Sequence, residues 1–348
     1  IDFVETTNEG VGIYANKTIS AGETLISVPY SMCITPDAIV QNQLLQPIFS
    51  DNAGIVDYPD EVLAIGLMHA KLFPSEKCSW SKHVSMLPTD FNTTIFWSEA
   101  ELEEMKGNMV YHLTKMMLRQ IETDYNSIHA ALAEAYPELL GGVTIELYKW
   151  ALSVVYSRSL EITRQGKNTR CIVPVLDMAN HNPHSNAAPT DTFRYEDEAD
   201  RISLLAPTDL QVGEECYAVY GIYPNSKLLY SYGFVVLNNP HRAIDLWVRL
   251  QPSSVGYQAK QTFLQSNSLT REQTYDFKGT IRPNYISPAL LATIRVIQAE
   301  VSELPLLSRA IQGRMLTLRN EAAAYVSLRN LIIARMDVER AEVRVFYS

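Results

Sequence analysis

The sequence predicts an α+β protein in which strands and helices occupy separate stretches of the chain. Short apolar runs between turn residues dominate residues 1–40 and return after Cys171. Helical periodicity dominates residues 44–140 and the C-terminal third. The predicted order is therefore strands, helical insert, strands and helical tail. At 348 residues, the chain has room for two domains, or for one domain with a large insertion.

The first strands and the insert carry local signals at their ends. A turn followed by a strand from Thr24 to Val28 is expected in AGETLISVP. Asp60 is expected to cap a helix, and Ser98 with Glu101 forms a capping box for another. Thr144 is expected to cap the helix IELYKWALSVVYSRSL, whose apolar residues recur at helical spacing.

Strands are expected to return after Cys171, in the segments CIVPVL, TFRYE, RISLLAP, ECYAVY and YGFVVL. The acidic run Glu196–Asp200 is expected at a solvated hairpin tip. One more strand, RAIDLWVRL, precedes the tail, where a helix is expected from Leu290 to Val301. The last helix is expected to face the core with the stripe Met315, Leu318, Ala322, Tyr325, Leu328 and Ile332.

Composition narrows the function classes. The chain is 47% hydrophobic and 20% charged, which is typical of a folded globular protein. Its net charge of -10 argues against nucleic acid and is compatible with a protein partner that presents a basic side chain. No apolar run reaches membrane-span length, and residues 1–30 do not read as a signal peptide, so no membrane partner is expected.

The cysteines and the chain start bear on the compartment. The four cysteines lie far apart, without a Cys-x-x-Cys pair, which suits a reducing compartment. We expect an intracellular monomer, in cytoplasm or nucleus, with a plastid as the other option. The compartment itself stays unknown, because the chain opens without Met and a targeting segment could precede it.

The stretch VLDMANHNPHSN contains the densest group of polar candidates. Asp177, His181 and His184 could in principle bind a metal, but Pro183 prevents the two histidines from sharing one helical face. Asn180 next to His181 offers donors and acceptors at the end of a buried strand, which suits a polar small molecule. A turn that contains a buried His satisfied by backbone is the third interpretation.

Two features bear on anion binding. GVGIYA at Gly10–Ala15 matches the dinucleotide pattern, but a turn and a strand follow it, so no helix N-terminus can hold a pyrophosphate. The glycines could instead let backbone approach another ligand, or simply form a turn. Arg158, near the end of its helix between apolar neighbours, is either a partly buried anion partner or a charge at a helix C-terminus.

Tyrosine is concentrated in CYAVYGIYPNSKLLYSYGFVV. Five of its tyrosines lie within sixteen residues: Tyr217, Tyr220, Tyr223, Tyr230 and Tyr232. Several phenol rings around one turn could form a narrow tube that holds an alkylammonium group by cation–π attraction. Tyrosine enrichment is also ordinary in strands, and that interpretation stays open.

Three segments together resemble the SET-domain methyltransferases, specifically the plant Rubisco large-subunit lysine methyltransferase class. They are EGVGIYANKTISAGETLISVP, VPVLDMANHNP and GEECYAVYGIYPNSKLLYSYGFV, in that order, and CSWSKHVSMLP and IFWSEAELEEMKG resemble the class's helical insert. The resemblance implies a mostly-β SET fold around a pseudoknot, split by the insert and followed by a helical C-terminal domain. The implied parts are residues 1–43, 44–143, 144–238 and 239–348.

The resemblance also implies methyl transfer from S-adenosyl-L-methionine, without a metal, to a lysine of a protein substrate. The implied cofactor-binding residues are Glu9, Gly10, Val11, Arg158, Asn180, His181, Tyr232 and Phe234. The implied substrate-binding residues are Ser157, Arg158, Asp177, Tyr220 and Tyr232, with Tyr220 as the catalytic tyrosine.

The actin-histidine methyltransferase belongs to the same class, so a histidine substrate is the first alternative. That branch has Trp before its Asp and Arg in the turn after its Tyr-Gly, where this chain has Leu176 and Tyr223. Both differences favour lysine. Two hypotheses come from other functional classes. One is an inactive protein-binding module, and the other is a metal hydrolase centred on Asp177 and His181.

Overall fold

A computed structural model describes residues 1–6, 10–183, 192–241, 245–267, 269, 274–276 and 286–346. The chain divides into two compact units. The first contains residues 1–102, 113–222 and 226–237, and the second contains residues 103–112, 223–225 and 238–348.

The described strands pair in small antiparallel sheets. They are β1 Asp2–Thr6, β2 Gly10–Tyr14, β3 Thr24–Pro29, β4 Ser159–Arg164, β5 Lys167–Ile172, β6 Phe193–Glu196, β7 Arg201–Leu205, β8 Asp245–Trp247 and β9 Thr274–Asp276. β1 pairs with β2, β4 with β5, and β8 with β9, while β3, β7 and β6 form a three-stranded sheet in that order. Small antiparallel sheets beside long helical stretches confirm the predicted α+β class.

The helices lie mostly in the insert and the tail. They are α1 Pro36–Val40, α2 Gln46–Asp51, α3 Pro59–Leu72, α4 Ser81–Met86, α5 Glu99–Glu103, α6 Met109–Asp124, α7 Ala130–Ala135, α8 Pro137–Leu140, α9 Ile145–Arg158, α10 Asn225–Tyr232, α11 Tyr257–Ser266, α12 Pro288–Ile297, α13 Ser308–Ile311 and α14 Leu318–Phe346. Among the residues placed by the structure, none of these helices is both long and apolar enough to cross a bilayer.

The insert helices pack with α9 around one apolar core. Nine consecutive residues of α3 are buried, and α9 buries seven. The predicted cap of α9 is confirmed, because the Thr144 side chain accepts a hydrogen bond from Leu147 N. The capping box is confirmed too, since Ser98 N donates to Glu101 Oε2 at 2.7 Å. Asp60 was wrongly expected as a cap; it lies within the first turn of α3.

A second core lies between the sheets of the first unit and holds the segments that build the site. The hairpin β6–β7 is confirmed, and the turn at its tip ends at Asp200. ECYAVY was expected as a strand, but it makes isolated bridges, Tyr14 to Glu215 and His181 to Ala218. CIVPVL leaves the strand after Ile172, where β5 ends. YGFVVL is wrong as a strand, because Tyr232 ends a helix.

The second unit contains two smaller apolar clusters around α12. This helix ends at Ile297, earlier than the expected Val301, where a 3-10 helix begins. The predicted stripe of α14 is confirmed only in part: Leu328 is buried as expected, but the other buried residues are Asn320 and Ala324. The predicted core residues Met315, Leu318, Ala322 and Tyr325 are exposed instead, while Ile332 packs partly buried against the core.

Candidate active site

The chain leaves β5 through a tight turn that presents Asp177. Val175 has a φ of 73°, which is rare for a β-branched residue, and the 3-10 helix Leu176–Met178 follows. Such a conformation costs on the order of 1–3 kcal/mol and persists only where surrounding contacts hold it. Asp177 N donates to Val173 O at 3.1 Å. The turn directs the Asp177 side chain inward, where 2% of it is exposed.

Asp177 is contacted from two sides. His83, on α4, places Nε2 3.0 Å from Asp177 Oδ2. Arg158, the last residue of α9, donates from Nη1 to Asp177 O at 3.0 Å and lies 3.5 Å from Oδ2. Asp177 Oδ1, Arg158 Nε and His83 Nδ1 are buried, and within the described residues they have no hydrogen-bond partner.

Asn180 is tied to a carboxylate that sequence reasoning missed. Its Nδ2 donates to Glu215 Oε1 at 2.8 Å, and Tyr14 Oη donates to Glu215 Oε2 at 3.3 Å. A Cβ on Gly12 would lie 2.6 Å from Glu215 Oε1, so a glycine here leaves room for the carboxylate. Ala218 N donates to Asn180 O at 2.7 Å, which fixes the backbone of the Asn180 turn.

His181 and Tyr220 are joined through both backbone and ring. Tyr220 N donates to His181 Nδ1 at 3.1 Å, so this nitrogen carries the lone pair and the neutral ring holds its proton on Nε2. The Tyr220 hydroxyl donates to Ala179 O at 2.7 Å. Burial raises the pKa of Tyr220 to about 12, so the phenol is neutral and a donor at physiological pH.

Four rings form one aromatic cluster in the first unit: His181, Tyr220, Tyr232 and Phe234. The Tyr220 ring is stacked on His181 at 4.9 Å and on Tyr232 at 5.3 Å between centroids. Phe234 lies 6.2 Å from both His181 and Tyr232. The sequence predicted these four residues as members of one site, and the fold brings them into contact.

The helix α10 explains which tyrosines join the cluster. Tyr232 ends α10, while Tyr230, two residues earlier, points to another side of the helix and lies under Lys227 Nζ at 5.0 Å. Gly233 has a φ of 82°, and a Cβ there would lie 2.8 Å from the carbonyl carbon of Asn92. Asn92 Nδ2 donates to Gly233 O at 3.2 Å, so the insert fixes the exit of α10.

The other predicted residues have less defined positions relative to the cluster. Gly10 and Val11 begin β2, the strand that contains Gly12. Ser157 Oγ donates to Ser153 O within α9 at 2.6 Å. Glu9 and His184 lie outside the described residues. In the part of the chain that is described, no group of three or more His, Cys, Asp or Glu side chains is arranged around a metal-sized position.

The donor set at this site matches a zwitterionic ligand with an apolar portion. Asp177 Oδ1 is an acceptor and Arg158 Nε a donor; both are buried, and they belong to side chains joined by the hydrogen bond from Arg158 Nη1 to Asp177 O. The aromatic cluster begins one residue after Asn180. An amino group, a carboxylate and a flat or alkyl group would therefore find complementary partners here.

His83 and Glu215 are the two site residues absent from the sequence-based set. His83 lies 94 positions from Asp177, and Glu215 lies 35 positions from Asn180. No local motif contains either pair. The signals available were weak: a histidine in the insert segment CSWSKHVSMLP, and the second Glu of GEECYAVYG beside a predicted strand.

Comparisons with known proteins agree with this architecture. Residues 251–339 match the family model described as Rubisco LSMT substrate-binding. The human actin-histidine N-methyltransferase is 26% identical over 328 residues, covering 92% of this chain and 53% of that protein. The chloroplastic fructose-bisphosphate aldolase-lysine N-methyltransferase of Arabidopsis thaliana is 25% identical over 283 residues, covering 77% of this chain and 55% of that protein.

Solved structures identify the fold. A SET domain of LSMT bound to lysine and AdoHcy superimposes with a TM-score of 0.68 at 22% identity, covering 93% of this chain and 70% of that one. Rubisco LSMT bound to AdoMet gives a TM-score of 0.67 at 23% identity with the same coverage. This chain spans about half the length of the protein methyltransferases it matches. It therefore has the fold of the Rubisco LSMT SET domain, and its residues 251–339 are similar to the Rubisco LSMT substrate-binding family.

Proposed function

We propose that this chain transfers a methyl group from S-adenosyl-L-methionine to a lysine side chain of a protein. The observation that carries the proposal is the position of the Tyr220 hydroxyl. The Tyr220 ring is stacked on both His181 and Tyr232. Its hydroxyl donates a hydrogen bond to the carbonyl of Ala179, one residue before the Asn180 turn. We also propose the domain division that the resemblance implies, with a SET region in two segments, 1–43 and 144–238, around the helical insert.

The residues proposed to hold the cofactor have complementary chemistry. Arg158 Nε would meet a carboxylate, and Asp177 Oδ1 or the Asn180 side chain would meet an ammonium. His181, Tyr232 and Phe234, with Gly10 and Val11 of β2, would surround the remaining surface. Glu9 stays in this set as a proposal from the resemblance alone.

When bound, the cofactor supplies an electrophilic methyl group on a sulfonium. The residues of this chain align the acceptor amine with it, and alignment at near-attack distance is worth up to about 7–11 kcal/mol in favourable cases. The Tyr220 phenol, neutral because burial raises its pKa to about 12, can orient the amine through its oxygen. The stacked rings would shield a bound amine from water, and desolvation favours the uncharged amine that attacks.

Lysine is favoured because Leu176 and Tyr223 occupy the positions where the histidine-modifying branch has Trp and Arg. Leu176 is 1% exposed and packs in the core. A histidine substrate is the second candidate, because the actin-histidine methyltransferases align over 92% of this chain. The identity of the substrate protein is a separate matter. A partner with exposed basic residues would be attracted by the net charge of -10.

Two measurements, made one after the other, test the proposal. Calorimetric titration with S-adenosylhomocysteine comes first, because binding is required by either substrate assignment. Incubation of the protein with cell extract and isotopically labelled S-adenosylmethionine follows, and mass spectrometry locates the label. Label on lysine, lost with Tyr220→Phe, supports the proposal. Label on histidine refutes the lysine assignment, and absence of cofactor binding refutes methyl transfer altogether.

A further inference from the structure

The helical insert reaches the candidate site through one buried histidine. His83 Nε2 lies 3.0 Å from Asp177 Oδ2, and the two side chains are 5% and 2% exposed. An ionised carboxylate only accepts hydrogen bonds, so the Nε2 proton of His83 is donated to it. A charge-assisted hydrogen bond of this kind, away from water, is among the stronger polar contacts in a protein.

The contact bears on Arg158 as well as on Asp177. Arg158 Nη1 lies 3.5 Å from the same oxygen, Asp177 Oδ2, and bonds the Asp177 carbonyl at 3.0 Å. His83 and Arg158 thus converge on one carboxylate oxygen. The other oxygen, Oδ1, is left without a partner in the described chain, as is Arg158 Nε. Both of these unpaired atoms belong to side chains that meet at Oδ2, so their orientation depends on how Oδ2 is held.

The backbone beside Asp177 has an uncommon conformation that contacts from inside and outside the turn hold in place. Val175, two residues earlier, has a φ of 73°, a region that β-branched residues avoid. The local hydrogen bonds, Asp177 N to Val173 O at 3.1 Å and Met178 N to Val175 O at 3.2 Å, hold the turn only from within. The His83 contact adds a constraint from another part of the fold.

We infer that His83 is a positioning residue: it holds the Asp177 carboxylate, and through it Arg158, in the orientation that binds the cofactor. The inference rests on the proposed function, since the ligand is the cofactor named there. A purely structural histidine would contribute to folding stability and leave the affinity of the folded protein unchanged. Affinity and stability therefore have to be measured separately.

The test uses three variants of the full chain. His83→Leu removes the donor, and His83→Gln keeps it, because the Gln amide nitrogen can occupy the position of His Nε2. His69→Leu is the matched control, since His69 is also buried in the insert and its Nδ1 lies 2.9 Å from Leu139 O, within the helical core. Each protein is titrated with S-adenosylhomocysteine by calorimetry, well below its own melting temperature, and its thermal unfolding is recorded.

We expect His83→Leu to raise the dissociation constant about tenfold, in line with the loss of one hydrogen bond to a charged group. His83→Gln should recover most of this loss, to within about threefold of wild type. His69→Leu should lower the melting temperature and change the affinity by less than about twofold. If His83→Leu does not fold, His83→Asn replaces it, because the shorter amide cannot reach Asp177.

The outcomes separate the two claims. Wild-type binding, together with unchanged affinity in His83→Leu or His83→Asn, would show that His83 is only structural and would overturn the inference while leaving the proposed function intact. Equal losses in His83→Gln and His83→Leu would also overturn it, since the donor would then be irrelevant. No binding by the wild type refutes the proposed function, and the inference with it.

Discussion

Replacing Tyr220 with Phe removes one oxygen from the centre of the site and leaves the rest in place. The ring can keep its stacking on His181 at 4.9 Å and on Tyr232 at 5.3 Å. The backbone hydrogen bond from Tyr220 N to His181 Nδ1 does not involve the side chain. The lost contact is the 2.7 Å hydrogen bond to Ala179 O. The loss of this hydrogen bond should lower the free energy of unfolding by about 0.5–1.5 kcal/mol.

The expected effect on turnover is larger than the effect on stability. If the phenol orients the acceptor amine, losing this preorganised contact should lower the rate of methyl transfer roughly 10²-fold, which corresponds to about 2.7 kcal/mol. Affinity for S-adenosylhomocysteine should change by less than about threefold, because the proposed cofactor contacts of Arg158, Asp177 and Asn180 are retained. The rate should be measured under single-turnover conditions on the substrate found by the extract assay.

Tyr125→Phe provides a matched control. Its hydroxyl donates to a backbone carbonyl, Val143 O, at 3.2 Å within the insert. It should lose a similar amount of stability and keep its turnover. Near-normal turnover in Tyr220→Phe, or equal rate losses in both variants, would refute the role assigned to Tyr220.

Three further predictions concern pH, a glycine and a surface ion pair. Because the pKa of Tyr220 is raised to about 12, kcat/KM for a lysine substrate, which reports the pKa of the free amine, should rise from pH 7 to 9.5 without a decline from the phenol. A plateau of kcat/KM above about pH 7.5 would indicate histidine, whose ordinary pKa is about 6.5. Gly12→Ala should displace the Glu215 carboxylate from Asn180 Nδ2 and weaken cofactor binding about tenfold by calorimetry, and unchanged affinity would remove Asn180 from the cofactor site. The hydrogen bonds from Arg164 lower the pKa of Asp200 to about 2, so the ionised carboxylate stabilises the fold above the unfolded pKa of about 3.9 and this stabilisation is lost as pH falls toward 2. Asp200→Asn should therefore have a lower melting temperature than wild type at pH 7, and the difference should nearly vanish at pH 2. A difference in melting temperature that does not change with pH would contradict this.

Elements with a local cause could be predicted from the sequence. The helix α9 has a Thr cap and a continuous apolar period, and it runs from Ile145 to Arg158 as the pattern indicates. The helix α10 was missed because LLYSYGF combines aromatic residues that are enriched in strands. Its start after Pro224 was the contrary signal. In α14 the residues exposed to solvent include Leu318 and Tyr325, because apolar residues occur on more than one face and periodicity cannot show which face is covered.

In the candidate site too, residues within a local motif could be predicted, and residues that act through distant contacts could not. Asn180, His181 and Tyr220 are found by motif, because each lies in a short segment with distinctive neighbours. His83 and Glu215 act through contacts with residues that are distant in sequence, and spacing rules address only neighbours along one strand or helix. The contacts of His83 with Asp177 and of Glu215 with Asn180 are visible only in the folded chain.

The segment from His83 to Asn92 connects the insert with the site at more than one point. His83 contacts the Asp177 turn, and Asn92 Nδ2 donates to Gly233 O beside the aromatic cluster. Between them, Trp150 Nε1 of α9 donates to Pro88 O at 2.8 Å. These bonds tie one stretch of the insert to the turn, to the exit of α10 and to the helix that ends at Arg158. Because the turn and the helix exit carry strained or crowded backbone, a change that loosens this stretch should reduce cofactor affinity before it unfolds the sheets.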